Sequence, residues 1–256
     1  MTTIAIIPAR GNSKEIPRKN VKLLHGVPLI AYTILPALTC PDLDHVYLST
    51  EDNEIEDVAL QYAKILDPEL ERFHIVHRPM DLSQDWVQND DVCLHVVRQL
   101  VLDGLDFDTV VVLQPTSPFR EFEDISNALS LFNDHWSTVI SGTFVRDDRA
   151  YAWRVNENGD DPHMSPVWHD PTKRYGRQWE ADVAMSPNED GLFYEDGSIY
   201  VCSAERFMLE RVVRMPPYVP YLSDVNMSID LNTWEDWEQA EEMAQEYYTT
   251  VHYPNA

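Results

Sequence analysis

The stretch TIAIIPARGNSKEIPRKN (Thr3–Asn20) sets the expectation for the whole fold. Its opening, Thr3–Pro8, is a continuous apolar run without polar alternation, the pattern of a strand covered on both faces. Ala9–Asn20 then switches to small, polar and basic residues, so the strand empties into a polar loop. Strands buried on both sides belong chiefly to parallel sheets sandwiched by helices, where ligands gather at the carboxyl ends of the strands.

Outward from this start, apolar runs and helical periods alternate. Pro28–Thr39 reads as an apolar helix that should kink or end at Pro36, which lacks the N–H that a helix interior needs. His45–Thr50 reads as a second strand, and Asn53–Leu66 as a helix with Ile55, Val58, Ala59 and Tyr62 on one face. Phe73–His77 follows as a short strand and Val92–Leu102 as a helix. Thr109–Leu113 (TVVVL) is the strongest buried-strand signal, and Glu123–His135 and Thr138–Phe144 continue as helix and strand. This alternation predicts an α/β domain whose mainly parallel sheet lies between two helical layers.

Beyond Arg146 the pattern breaks. Residues 146–196 are rich in Asp, Asn, Pro and Trp without a period, and are expected to form an inserted arm, lid or dimerisation element within one domain spanning 1–256. Regularity returns with the strand Ser198–Cys202 and a final helix from Thr233, where Thr233 and Asp236 have capping-box spacing. Trp234, Trp237, Ala240, Ala244 and Tyr247 share one face of that helix and read as packing.

Charge narrows the function classes. Forty-four acidic side chains against 19 basic ones give −25, which argues against a nucleic-acid surface or an anionic membrane face. Within residues 1–22, however, Arg10, Lys14, Arg18, Lys19 and Lys22 face one acid, Glu15, so an acidic protein concentrates cations around this loop. Cys40, Cys93 and Cys202 lie far apart, outside any C-x-x-C pattern, which argues against disulfides and structural zinc. With no apolar run near 18 residues and no signal-peptide pattern, a cytoplasmic protein is expected.

Gly11 and the small Asn12 and Ser13 allow backbone N–H groups to approach an anion, and Arg10, Lys14 and Lys19 add positive charge. Neither G-x-G-x-x-G nor G-x-x-x-x-G-K-[ST] is present, so the pattern alone suits either an anion-holding loop or a basic surface loop.

Four ordered blocks carry a resemblance. They are the opening ARGNSKEIPRKN with GVPLIAYT, Ser49–Asp52 (STED), Leu113–Arg120 (LQPTSPFR), and Gly197–Tyr200 (GSIY) trailed by Ser228–Asp230. Over about residues 3–245 the chain resembles the CMP-sialic acid synthetases, the acylneuraminate cytidylyltransferases. That resemblance implies a Rossmann-like nucleotidyltransferase fold, usually a homodimer, which joins CTP to an acidic nine-carbon sugar with magnesium and releases pyrophosphate.

The same resemblance implies residue roles. Arg10, Lys14 and Lys19 would act in catalysis, and Ala9, Arg10, Gly11, Asn12, Ser13, Lys14 and Asn20 would hold the nucleotide. Gln114, Ser117, Arg120, Arg177 and Gln178 would bind the acceptor. Asp230, ending a short Ser228–Leu231 strand, would bind Mg2+. Departures accompany the match: Asn232 replaces a frequent second aspartate and is itself a candidate helix cap, Glu15 replaces a frequent glycine, and Gln84–Asn89, with Trp86, stands where the resemblance puts smaller residues facing the base. Alternative readings are an eight-carbon acceptor, GTP as donor, or a non-catalytic nucleotide-binding relative.

Overall fold

A computed structural model describes residues 2–132, 137–145, 152–156, 163–166, 192–224 and 228–250. The strands are β1 (Thr3–Pro8), β2 (Leu23–Leu24), β3 (Val27–Pro28), β4 (His45–Thr50), β5 (Phe73–His77), β6 (Thr109–Leu113), β7 (Thr138–Val145), β8 (Ala152–Asn156), β9 (His163–Pro166), β10 (Leu192–Ser203) and β11 (Tyr218–Leu222). The helices are α1 (Ala31–Thr39), α2 (Asn53–Leu66), α3 (Asn89–Leu102), α4 (Phe122–Leu131), α5 (Ala204–Glu210) and α6 (Trp234–Thr250). The main sheet runs β11-β7-β10-β6-β1-β4-β5, with β8 and β9 attached beside β10, while β2 and β3 pair as a small hairpin.

β1 pairs in parallel with both β4 and β6, as β4 does with β5 and β11 with β7. Only β10 runs against the grain of this path, antiparallel to β6 and β7. The expected three layers are present. Ala5, Ile7, Val46, Leu48, Val111 and Leu113 pack under α1, α2 and α4. Alternate residues Ile4, Ile6, Val110 and Val112 pack under α3 and α5. That every second residue reports to a different core explains why β1 and β6 read as unbroken apolar runs.

Several boundaries differ from expectation: α3 begins at Asn89, not Val92, β10 runs over Leu192–Ser203, not Ser198–Cys202, and three others differ as well. Pro36 sits inside α1, and the helix continues to Thr39, with the Cys40 N–H reaching the Pro36 carbonyl. A proline removes its own donor but leaves its carbonyl able to close the following turn. Helix α4 ends at Leu131, and the part of the expected helix at 133–135 lies outside the described residues. Ser228–Leu231 forms no strand; its link is the Leu231 N–H donating to the Thr116 carbonyl at 2.8 Å.

A third cluster supports the site described below. Trp237, Ala240, Ala244 and Tyr247 of α6 pack with Ile16, Leu24, Leu29, Tyr32 and Phe119. Ile16, the apolar residue within the basic loop, thereby pins that loop to the C-terminal helix. Trp234 is not part of this cluster and is 48% exposed.

Candidate active site

β1 is the pivot of the sheet. From it the chain moves to β4 and β5 on one side, then crosses through α3 to β6 on the other. The carboxyl ends of β1 and β6 therefore flank a topological switch point, the place where open α/β sheets bind ligands. The loop 9–18 leaves β1 and the loop 114–121 leaves β6, so the two blocks read from sequence meet across this crevice.

The first loop is held by its backbone. The Ala9 N–H donates to the Ser49 carbonyl at 3.0 Å, and Asn20 Nδ2 to the Arg10 carbonyl at 2.9 Å. The Gly11 N–H donates to Glu51 Oε1 at 2.8 Å. Two loop N–H groups expected to meet a nucleotide are thus taken by the protein itself, and the exposed Asn12 and Lys14, with half-buried Ser13, form the outward tip. A Cβ on Gly11 would lie 2.3 Å from Asp52 Oδ2, far inside contact distance. Asp52 caps α2 through the Ile55 N–H at 3.0 Å and receives Arg18 Nη1 and Nη2 at 2.5 and 2.8 Å. Gly11→Ala must therefore dislodge a carboxylate with three donors, and we expect a loss of about 2–3 kcal/mol in chemical denaturation. Stability unchanged to within about 0.5 kcal/mol would show that the loop simply shifts aside.

Each cation of the basic island has a partner. Arg18 is bound by Asp52 and by Glu54, and Arg18 holds the Asp52 carboxyl below the usual carboxylate range, helped by the Ile55 N–H and opposed by burial. Arg10 Nη1 and Lys14 Nζ bind opposite oxygens of Asp85 at 3.1 and 2.8 Å. Lys19 Nζ donates to the Leu231 carbonyl at 2.5 Å. Burial pushes the Lys19 ammonium down, against the opposing pull of Asp230. Lys22 lies over the rings of Trp234 and Trp237, 5.0 and 5.5 Å from their centres, which makes it a packing cation. Glu15 is exposed, and neither Arg18 nor Lys19 turns to it, because both are engaged elsewhere.

The extended segment 228–232 crosses the end of β6 and brings Asp230 to the crevice beside Lys19. Burial pushes the Asp230 carboxyl up, while hydrogen bonds from Thr116 and Asn232 and the Lys19 charge draw it down. Asn232 turns its Nδ2 to Asp230 Oδ2 at 2.8 Å. The α6 cap is instead Thr233: its N–H donates to Asp236 Oδ2 at 2.6 Å and its Oγ1 accepts the Asp236 N–H at 3.2 Å. Among the described residues no group of three or more His, Cys, Asp or Glu is placed to hold a metal ion.

On the β6 side, Gln114 Oε1 accepts from Asn89 Nδ2 at 3.0 Å, and Ser117 Oγ donates to the Asp196 carbonyl at 2.7 Å. Arg120, expected at the acceptor, is 2% exposed, and its guanidinium turns inward to Ser198 Oγ, Thr33 Oγ1 and the Gln114 carbonyl at 3.0, 2.8 and 2.5 Å. Gly197 has φ +72, a left-handed value, where β10 bulges past this loop. An adjoining cleft of about 330 Å3, lined by Ser117, Arg120, Asp196 and Ser198, also carries Glu121 and Asp124 on its wall. Arg177 and Gln178 lie outside the described residues.

Sequence reasoning assigned no role to Glu51, Asp52 or Asp85. The first two follow β4, and parallel pairing of β4 with β1 places them beside the loop; the STED block carried that signal. Asp85 lies 75 residues from Arg10, in a segment without a period, and only folding brings it there. Its neighbour Trp86 is 76% exposed.

Comparison with known proteins adds to this geometry. A family model described as cytidylyltransferase matches residues 4–246. The chain is 29% identical over 250 residues to the CMP-N,N'-diacetyllegionaminic acid synthase of Legionella pneumophila, covering 96% of this chain and 97% of that one. It is 28% identical over 249 residues to a pseudaminic acid cytidylyltransferase of Campylobacter jejuni, covering 94% and 95%. Among solved structures, a CMP:2-keto-3-deoxy-manno-octonic acid synthetase complexed with CTP superposes with a TM-score of 0.65 at 16% identity, over 96% of this chain and 100% of that one. A 4-diphosphocytidyl-2C-methyl-D-erythritol synthase from Anaerococcus prevotii gives 0.63 at 14% identity, over 95% and 96%. At these identities the two structures speak for the fold alone.

Proposed function

The chain belongs to the cytidylyltransferase family, and on that premise we propose that it transfers CMP from CTP to the anomeric hydroxyl of a sialic-acid-like ulosonic acid. The observation that carries this is the nearness of Arg10, Lys19 and Asp230 to one another, with Lys14 joined to Arg10 through Asp85. The relatives named above act on acidic sugars of this class.

The reaction forms one bond from the sugar oxygen to the α-phosphorus and breaks the bond from that phosphorus to the β-phosphate oxygen, so pyrophosphate leaves and the hydroxyl proton is released to solvent. Little covalent work falls to the protein, which acts through position and charge. Arg10 and Lys14 face the outer phosphates, and their positive charge offsets what the departing pyrophosphate gains. The tip Asn12–Lys14 supplies backbone N–H groups in this reading, while Glu51 and Asn20 keep the loop in shape. Lys19, held on the Leu231 carbonyl, brings positive charge to the floor of the crevice.

Magnesium fits the donor set. Asp230 offers one hard carboxylate, oriented by Asn232 and Thr116, and magnesium commonly combines one or two protein carboxylates with substrate phosphates and water. When bound, it neutralises charge on phosphate oxygens. Homodimerisation through 146–196 belongs to the same proposal, supported by the two additional strands, β8 and β9, that this segment contributes beside β10. A cytoplasmic location is supported by three free, buried cysteines. No helix of the described residues is long and apolar enough to cross a membrane.

Pyrophosphate release measured with each of the four nucleoside triphosphates against eight- and nine-carbon ulosonic acids tests the proposal. Release confined to CTP with a nine-carbon acid is expected. Release with GTP alone would remove cytidine from it, and tight CTP binding without release from any acceptor would remove catalysis.

A further inference from the structure

The two cations at the tip of the nucleotide loop are already bridged by one carboxylate. Asp85 presents Oδ1 to Arg10 Nη1 at 3.1 Å and Oδ2 to Lys14 Nζ at 2.8 Å, one oxygen for each, much as two oxygens of a phosphate would. The carboxylate comes from a different part of the chain, between the short helical turn Met80–Ser83 and α3. Its segment is braced locally: Gln84 Nε2 donates to the Met80 carbonyl at 3.0 Å, and the Val87 N–H to the Gln84 carbonyl at 3.1 Å. Asp85 and its neighbour Trp86 are exposed, Trp86 by 76%, whereas Leu82, Ser83 and Val87 on either side are buried or half-buried, so the carboxylate can turn away without unseating the segment.

We propose that Asp85 is an internal anion that occupies the phosphate place of the loop and must be displaced by the incoming polyphosphate. This rests on the nucleotide reading of Arg10 and Lys14 given above. Lys14 first, then Arg10, hold the Asp85 carboxyl below the usual carboxylate range, so the group is an anion across the neutral range. Side-chain exposures of 69% for Lys14 and 40% for Asp85 put the pair in water, where screening makes it readily exchanged. A single carboxylate is then outcompeted by a ligand with three or four charges, whereas a lone inorganic phosphate gains far less from the exchange. Until that happens Arg10 and Lys14 stay together and half-neutralised, one negative charge against two positive. Apparent affinity for every anion is lowered by the population of the Asp85-bound state.

Calorimetric titration of inorganic pyrophosphate into the unmodified chain, Asp85→Asn and Lys14→Ala tests this. Asp85→Asn is expected to bind pyrophosphate about 3- to 10-fold more tightly. The emission of its Trp86, isolated as the difference from a Trp86→Phe background because the chain has 7 tryptophans, should before ligand is added already match that of the pyrophosphate-bound unmodified protein. Unchanged or weaker binding by Asp85→Asn would overturn the inference while leaving the nucleotide site in place, provided that Lys14→Ala binds more weakly. If Lys14→Ala and the unmodified chain bind alike, the reading of the loop itself fails, and the inference with it.

Discussion

Arg120→Ala is expected to lower stability by about 3–5 kcal/mol, a large part of the 5–15 kcal/mol that holds a typical domain folded. The guanidinium is almost entirely buried and touches three elements at once: Thr33 of α1, Ser198 of β10 and the Gln114 carbonyl after β6. Its own carbonyl accepts the Tyr247 hydroxyl of α6 at 3.2 Å. Truncation removes the charged donor from all three acceptors and opens a cavity between sheet and helices. Arg120→Lys should recover little, because one ammonium cannot reproduce a planar fork aimed at three separate acceptors. Urea denaturation reads the effect. A loss below about 1 kcal/mol in Arg120→Ala, accompanied by a raised KM for the sugar, would return this residue to the acceptor pocket.

Asp230→Ala is expected to reduce magnesium-dependent turnover by at least about a hundredfold, near 3 kcal/mol of barrier, with the fold preserved. The reason for the contrast with Arg120 is the place of each group. Asp230 stands on an extended segment held chiefly by the Leu231 N–H on the Thr116 carbonyl and by the buried side chains of Ile229 and Leu231, to which the Asp230 carboxylate adds its bond from Thr116. Removing the carboxylate frees Asn232 and Thr116 to bind water at the crevice, so the structural cost stays small. Asp230→Asn keeps the shape and removes only the charge, and should be nearly as inactive. Manganese affinity of the CTP complex, followed by electron paramagnetic resonance, gives a reading apart from turnover. Affinity and rate both near those of the unmodified chain would exclude Asp230 as the metal ligand.

Much of the fold was legible because its strands obey a simple rule. A strand with helices on both faces must be apolar at every position, and Thr3–Pro8 and Thr109–Leu113 announce that condition without reference to any partner. The bounds of α2 and β5 coincide with the expected Asn53–Leu66 and Phe73–His77, since both end at polar punctuation. Antiparallel β10 was not legible: direction is a property of the pair, and an apolar strand reads the same either way. The supposed strand at 228–231 failed for a related reason, since apolar spacing shows what is buried but not whether a neighbouring strand is there to bond it.

The same division runs through the site. By itself the sequence determined that a small, basic loop follows a buried strand, and that charge in an otherwise acidic chain collects there. Those are local facts, carried by residues adjacent in the chain. Which partner each cation meets was decided only by tertiary structure. Asp52 and Glu54 reach Arg18 because β4 lies beside β1, and Lys22 is stacked on tryptophans more than 200 residues later. Arg120, which in sequence belongs to the same block as Gln114 and Ser117, is turned into the core because its long side chain finds three acceptors there. Electrostatic energy depends on distance in space, and residue order constrains that distance only within a turn or a strand pair. Hence the basic island was visible from the first 22 residues, and Asp85 within it was not.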